Sequence, residues 1–151
     1  MNRCRAFLDT EFTDFLDCEL ISIGIVTDDG REFYGERTDY DDSTCSAFVR
    51  EAVLPKLGKE PAVVGTAADL RTAVLEWLAE VGPIDIYVDY QTDWDLLIDL
   101  CYELPPTVRG KIGLFDEQEI ERYWRENGRQ AHHALHDARA NRFSFISPPA
   151  D

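Results

Sequence analysis

No apolar run in this chain approaches the length needed to cross a bilayer, so a membrane-spanning helix is not expected. The opening residues, 1–5, lack the apolar segment of a secretory signal peptide. Cysteine is sparse. Cys4, Cys18, Cys45 and Cys101 are scattered without paired spacing, which excludes a disulfide framework or a zinc knuckle and predicts reduced thiols in a cytoplasmic protein. There is no internal repeat, no low-complexity segment and no composition break that would mark a linker. The expectation is therefore one domain over 1–146, followed by a frayed tail over 147–151. Basic residues are also scarce, 15 against 30 acids, for a formal net charge of -15. Such a surface repels nucleic acid at long range, so a nucleic-acid partner must be short, held locally or bridged by metal.

What is present is ordinary for a globular domain: 151 residues, 44% of them hydrophobic, enough for a sizeable core. Residues 4–9 read as a buried strand and 10–18 as a loop. Ile21, Ile23 and Ile25 alternate with Ser22 and Gly24, which predicts a half-buried strand over 19–27. Asp28, Asp29 and Gly30 form a hairpin turn, and 31–36 return as a third strand. The predicted opening is an antiparallel meander.

A helix capped by Ser43 or Thr44, with Phe48, Val49, Ala52 and Val53 as its apolar stripe, comes next. A second helix is predicted over 66–81 and a strand over 84–88. The following helix starts near Thr92, with Thr92 and Asp95 as the two halves of a capping box. A last strand over 111–115, a polar helix over 116–127 and a final helix over 134–145 complete the chain. The predicted fold class is α/β, with a mixed sheet flanked by helices.

Charge is uneven along the chain. From Arg109 onward there are seven bases and seven acids, so the whole negative excess lies earlier. Arg109, Lys111, Arg122, Arg125, Arg129, Arg139 and Arg142 are the candidate phosphate contacts. Pairing with Glu119, Glu121 or Glu126 on helix surfaces accounts for most of them more simply.

Three stretches carry chemistry. Asp9 and Glu11 lie two apart on an extended chain and point to one face, where a shared divalent cation would relieve their repulsion; solvation at a strand end is the plainer reading. Asp93 and Asp95 open a helix, where capping is the plainer reading. Residues 131–139 hold all three histidines, His132, His133 and His136, beside Asp137. One reading there is zinc on His132 and His136, four apart, although His133 stands where a zinc protease has its general-base Glu. Another makes Asp137 a metal ligand and a nearby histidine a general base. A third leaves exposed imidazoles at a helix N-terminus.

Asp9-x-Glu11 on a first strand, Asp95 after Tyr90-Gln91-Thr92-Asp93-Trp94, and His132-x-Ala134-Leu135-x-Asp137-Ala138 occur in that order. Together they resemble the three motifs of the DnaQ-like (DEDDh) 3′–5′ exonuclease superfamily, and most closely its branch of small bacterial 3′–5′ exoribonucleases. Glu19 to Gly24, 104–108 and the Trp124 helix also fit that branch. At Asp89 and Gln91 the chain departs from the family, which often has Gly and Asn there.

The resemblance implies a ribonuclease H-like fold and four metal-binding acids, Asp9, Glu11, Asp95 and Asp137, holding two Mg²⁺ or Mn²⁺ ions roughly 3.5–4 Å apart. It makes His132 the general base. Five residues on a regular helix are about 140° apart and not on one face, so His132 must sit on the loop entering the helix to approach Asp137; helical geometry alone would select His133. Thr10, Phe12, Phe15 and Trp94 flank the motifs and are the candidate substrate contacts, the aromatics by stacking on bases. The implied reaction is release of 5′-mononucleotides from the 3′ end of short or single-stranded RNA, or of single-stranded DNA, in RNA processing by a homodimer. The rival expectation is an acidic interaction module or nucleic-acid mimic that binds without cutting.

Overall fold

In the computed structural model, which describes residues 2–149, the apolar run around Phe7 forms the central strand β1 (Cys4–Phe12). β2 (Leu20–Thr27) runs back antiparallel beside it, and β3 (Glu32–Arg37) continues the meander after a turn in which Gly30 takes a φ of 89°. β1 runs three residues past the expected end. Pairing with β2 holds it to Phe12, with a register shift at Glu11/Phe12.

Asp41 closes a 3-10 turn over Asp42–Thr44 by accepting from the Ser43 N–H, so the expected caps Ser43 and Thr44 are used up there. Ser46 caps α1 (Ala47–Ala52) instead, accepting from the Val49 N–H. β4 (Val63–Gly65) is a three-residue edge strand, too short to show a period in the sequence. α2 (Ala67–Val81) starts from a full capping box of Thr66 and Asp69, and β5 (Ile84–Val88) follows. Then come α3 (Gln91–Cys101), β6 (Val108–Ile112), α4 (Glu117–Asn127) and α5 (Ala134–Ser144). β6 lies earlier than its expected place because it pairs residue for residue with β5, from Ile84↔Val108 to Val88↔Ile112. Phe115 makes an isolated bridge to Phe145.

The strands form one six-stranded mixed sheet in the order β4-β3-β2-β1-β5-β6, with β1, β5 and β6 parallel. The arrangement is consistent with the ribonuclease H-like fold expected from the sequence. α2 and α3 cover one face over Leu8, Ile23, Ile25, Leu70, Val74, Ile86 and Leu97. α5 covers the other over Val26 and Tyr34, with α4 packed against it. Residues 147–149 are exposed and lie outside the regular elements, while the rest of the expected tail, 150 and 151, lies outside the described residues.

β2 corrects one expectation. Every residue of it is buried, including Ser22 and Gly24, because their side of the strand faces α5 rather than water. The small residues mark close approach, not exposure. A Cβ on Gly24 would meet the Ala134 carbonyl oxygen at 2.6 Å and the Leu135 Cα at 2.8 Å. Gly24 is the cross-strand partner of Asp9, so its bare Cα lets the first turn of α5 sit beside that acid. Gly24→Ala is expected to cost about 1–3 kcal/mol in a denaturant melt, since neither backbone can yield locally. A wild-type midpoint for that variant would contradict the packing described.

Candidate active site

Parallel pairing brings the acids to one edge of the sheet. β1 and β5 run side by side in register from Cys4↔Ile84 to Phe7↔Tyr87, so Asp9 and Asp89 emerge together at their C-terminal ends. This is where open α/β sheets place their sites. α3 begins two residues after Asp89 and returns Asp93 to the same spot. Thr10 anchors it: the Thr10 hydroxyl donates to Asp93 Oδ1 at 2.6 Å and the Thr10 backbone N–H donates to the same oxygen at 3.2 Å. From the other face, α5 contributes Asp137 beside Glu11.

Two carboxylate triads result: Asp9, Glu11 and Asp137, and Asp9, Asp89 and Asp93. Within each, one oxygen per residue lies within 4.8 Å of the others, and Asp9 belongs to both. Asp9 is 9% exposed and Asp93 3% exposed. Asp9 Oδ2 is buried without a hydrogen-bond partner. Among the described residues no basic side chain forms an ion pair with any of the five.

The carboxyl groups respond as crowded acids should. Burial, followed by the charges of Asp137 and Asp93, pushes Asp9 well above the usual carboxylate range. Burial and Asp137 raise Glu11 to about 9, and burial raises Asp93 to about 7 against the opposing Thr10 hydrogen bond. Asp137 rises to about 6 by burial, with the Glu11 hydrogen bond and the His132 backbone N–H, 3.1 Å away, pulling it back.

These directions set a pH dependence. A carboxyl raised on folding contributes stability that is lost as pH climbs through its folded value. His133, depressed to about 4 by burial and then by the His136 charge, acts oppositely, but only below its ordinary value of 6.5. Between pH 7 and 9 the Glu11 effect persists, and Asp9, raised by the same burial, acts in the same direction. With chelator present, the melting temperature is expected to fall across that interval, and excess Mg²⁺ is expected to flatten the fall. A chelated protein whose melting temperature rises from pH 7 to 9 would contradict the buried cluster.

A cavity of about 750 Å³ opens over the acids. Thr10, Phe12 and Phe15, three of the candidate substrate contacts, line it, with Phe15 80% exposed. His132 lines it too, on the loop before α5, with φ 65° and its ring edge-on to Phe48 at 4.9 Å. Burial and the charges of Lys56 and Arg129 lower the His132 pKa, which leaves the ring neutral and able to accept a proton. The Lys56 ammonium donates to the Ala131 carbonyl, tying down the chain just ahead of it.

Two expected residues sit elsewhere. Asp95 is exposed and accepts from the Gln91 amide at 3.0 Å. Since α3 starts at Gln91 after Tyr90, Thr92 lies inside the helix, and no side chain makes the cap hydrogen bond. Asp93 and Asp95 are then about 200° apart around the helix, so only one can face the cavity. Trp94 does not line it either: it packs on Gly110 of β6, where a Cβ would come within 2.6 Å of the indole.

The sequence also passed over three residues. Phe48, assigned to an apolar stripe, is 56% exposed and lines the cavity, as does Tyr90, 71% exposed. Asp93 carried a legible signal. It stands four before Leu97 and seven before Leu100, on the buried stripe of α3, whereas Asp95 is in phase with exposed Ile98 and Asp99.

The other histidines are engaged away from the acids. His133 is buried against Tyr34, with ring centroids 4.7 Å apart. His136 Nε2 lies 2.9 Å from Glu60 Oε1. No histidine joins either ligand group among the described residues, which removes the support for a zinc site on His132 and His136. The donors at the cluster are hard oxygens only. With the orphaned Asp9 oxygen among them, they fit Mg²⁺ or Mn²⁺ better than zinc.

No family model matches the chain. It is similar to two curated proteins named 3′–5′ exoribonuclease, from the CDC 1551 / Oshkosh and ATCC 25618 / H37Rv strains of Mycobacterium tuberculosis. Each is 33% identical over 165 residues, covering 97% of this chain and 95% of the relative. No helix among the described residues is long and apolar enough to cross a membrane.

Proposed function

This chain belongs to the family of those 3′–5′ exoribonucleases, and we propose that it hydrolyses phosphodiester bonds at the 3′ end of short or single-stranded RNA, releasing 5′-mononucleotides. The reading places it in the DnaQ-like (DEDDh) superfamily, with 1–146 as the catalytic domain, a cytoplasmic location and a homodimeric state. The observation that carries it is the pair of overlapping carboxylate triads sharing buried Asp9, none of them ion-paired to a basic side chain among the described residues.

Asp9, Glu11 and Asp137 would hold one divalent cation, and Asp9 with Asp93 the second, Asp93 taking the part first assigned to Asp95. Bound there, such cations relieve charge at the phosphate and lower the pKa of the attacking water. Thr10 fixes Asp93 in place through its hydroxyl and backbone N–H. His132, neutral and on a loop rather than locked in α5, accepts the proton of the attacking water at a ring nitrogen. Phe15, Phe48 and Tyr90 offer exposed rings on which unpaired bases can stack with little sequence preference. Local stacking and metal bridging suit an acidic chain, because neither needs long-range attraction.

The rival, an acidic mimic of nucleic acid, needs its charges on the outside. The buried carboxyls of Asp9 and Asp93 cost stability and would mimic nothing. A 5′-labelled RNA oligonucleotide incubated with Mg²⁺ or Mn²⁺ tests the reading. Stepwise shortening from the 3′ end is expected, slowed about a hundredfold or more by His132→Ala. Unchanged rates in that variant would remove the histidine from the mechanism, and no shortening by the wild type would favour the mimic.

A further inference from the structure

We propose that Asp89 is a fifth carboxylate ligand of the centre, and that it makes the second cation subsite a resident one, filled before RNA arrives. The inference rests on the nuclease reading and goes beyond its four acids. Those four leave the second ion only two protein ligands, shared Asp9 and Asp93. A hard divalent cation held by two carboxylates keeps most of its water and relies on substrate phosphate to complete its shell.

The geometry supplies a third. Asp89 closes the triad with Asp9 and Asp93, each offering an oxygen within 4.8 Å of the others. Its position follows from the fold, since it is the first residue beyond β5, whose parallel pairing with β1 sets it level with Asp9. Its carboxyl and that of Asp93 therefore face each other across the same small space as Asp9. Carboxylates brought this close without an ion-pair partner are unfavourable unless a proton or a cation lies between them. Asp9 provides the independent sign of a missing ligand: its Oδ2 is buried at the junction of the two triads with nothing to accept from.

Asp89 differs from the other four in being exposed. It forms the wet rim of the second subsite, next to Tyr90 on the cavity wall. An ion held there can exchange with solvent without unfolding the cluster, while three anionic ligands retain it between turnovers. Added ligand charge is the usual way a protein tightens a hard cation site.

Counting Mn²⁺ by electron paramagnetic resonance, on the full chain without RNA, tests this. Wild type is expected to take up two ions. Asp89→Asn is expected to keep one at wild-type affinity and bind the second about tenfold or more weakly. In the RNA assay the same variant should need correspondingly more Mn²⁺ and recover at saturation. The proposal is overturned if the variant binds both ions as the wild type does, or if the wild type binds only one without RNA. Either result leaves the nuclease reading intact provided the wild type shortens RNA. A wild type that binds no Mn²⁺ and leaves RNA uncut would sink both.

Discussion

Asp9→Asn is expected to lower RNA shortening by about a thousandfold or more while raising the melting temperature of the metal-free protein. Asp9 is the only acid common to both triads, so its loss disturbs both cation subsites together. The loss corresponds to several kcal/mol of transition-state stabilisation, the scale expected when metal charge is removed from a phosphate. The gain has a separate origin. Asp9 is buried among four other carboxyls, and burial is the largest cause of its raised pKa. A neutral amide of the same shape relieves that repulsion, which the wild type tolerates because the cluster serves a function. Mn²⁺ should then stabilise the wild type and leave the variant almost unmoved. Shortening at the wild-type rate by Asp9→Asn would point to a contaminating nuclease, and a lowered melting temperature in chelator would contradict the electrostatics.

The second large effect separates two acids that stand two residues apart in one motif. Asp93→Asn is expected to slow the reaction about a hundredfold or more, the order seen when a single metal-supporting group is removed. Asp95→Asn should stay within about twofold, as for an exposed polar change. Asp93 is nearly enclosed and accepts two hydrogen bonds from Thr10, while Asp95 faces water beside Gln91. Thr10→Val should show an intermediate loss, because it removes the hydroxyl's hydrogen bond but keeps the carboxylate and the backbone N–H that holds it. Equal losses in the two Asp→Asn variants would mean that α3 is rotated in the working enzyme.

This pair marks where sequence reasoning stops. Asp9, Glu11 and Asp137 were legible because strand alternation and the order of motifs fix them independently of one another. The loop position of His132 was legible for a similar reason. Five residues from Asp137 is the wrong spacing for one helical face, and the structure resolves it by turning the chain at His132 before α5 begins. Choosing between Asp93 and Asp95 required the phase of α3. That phase depends on where the helix starts, and Thr92 suggested a cap that the chain does not use.

Ser22 and Gly24 failed in another way. Small residues between isoleucines read as a solvent face, but they are where the sheet admits α5. The edge strand β4, paired to β3 through only three residues, is set by tertiary contact and leaves no periodic trace. Exposed Phe48 shows the same limit for the cavity wall: an aromatic on an apolar stripe is indistinguishable from core until its neighbours are known.

Anomalous scattering from crystals soaked in Mn²⁺ tests the central claim most directly. Two peaks are predicted, one within about 2.2 Å of oxygens from Asp9, Glu11 and Asp137, the other at the same distance from Asp9, Asp89 and Asp93. A map with no peak in contact with Asp9, from crystals whose solution Mn²⁺ supports RNA shortening, would contradict the account.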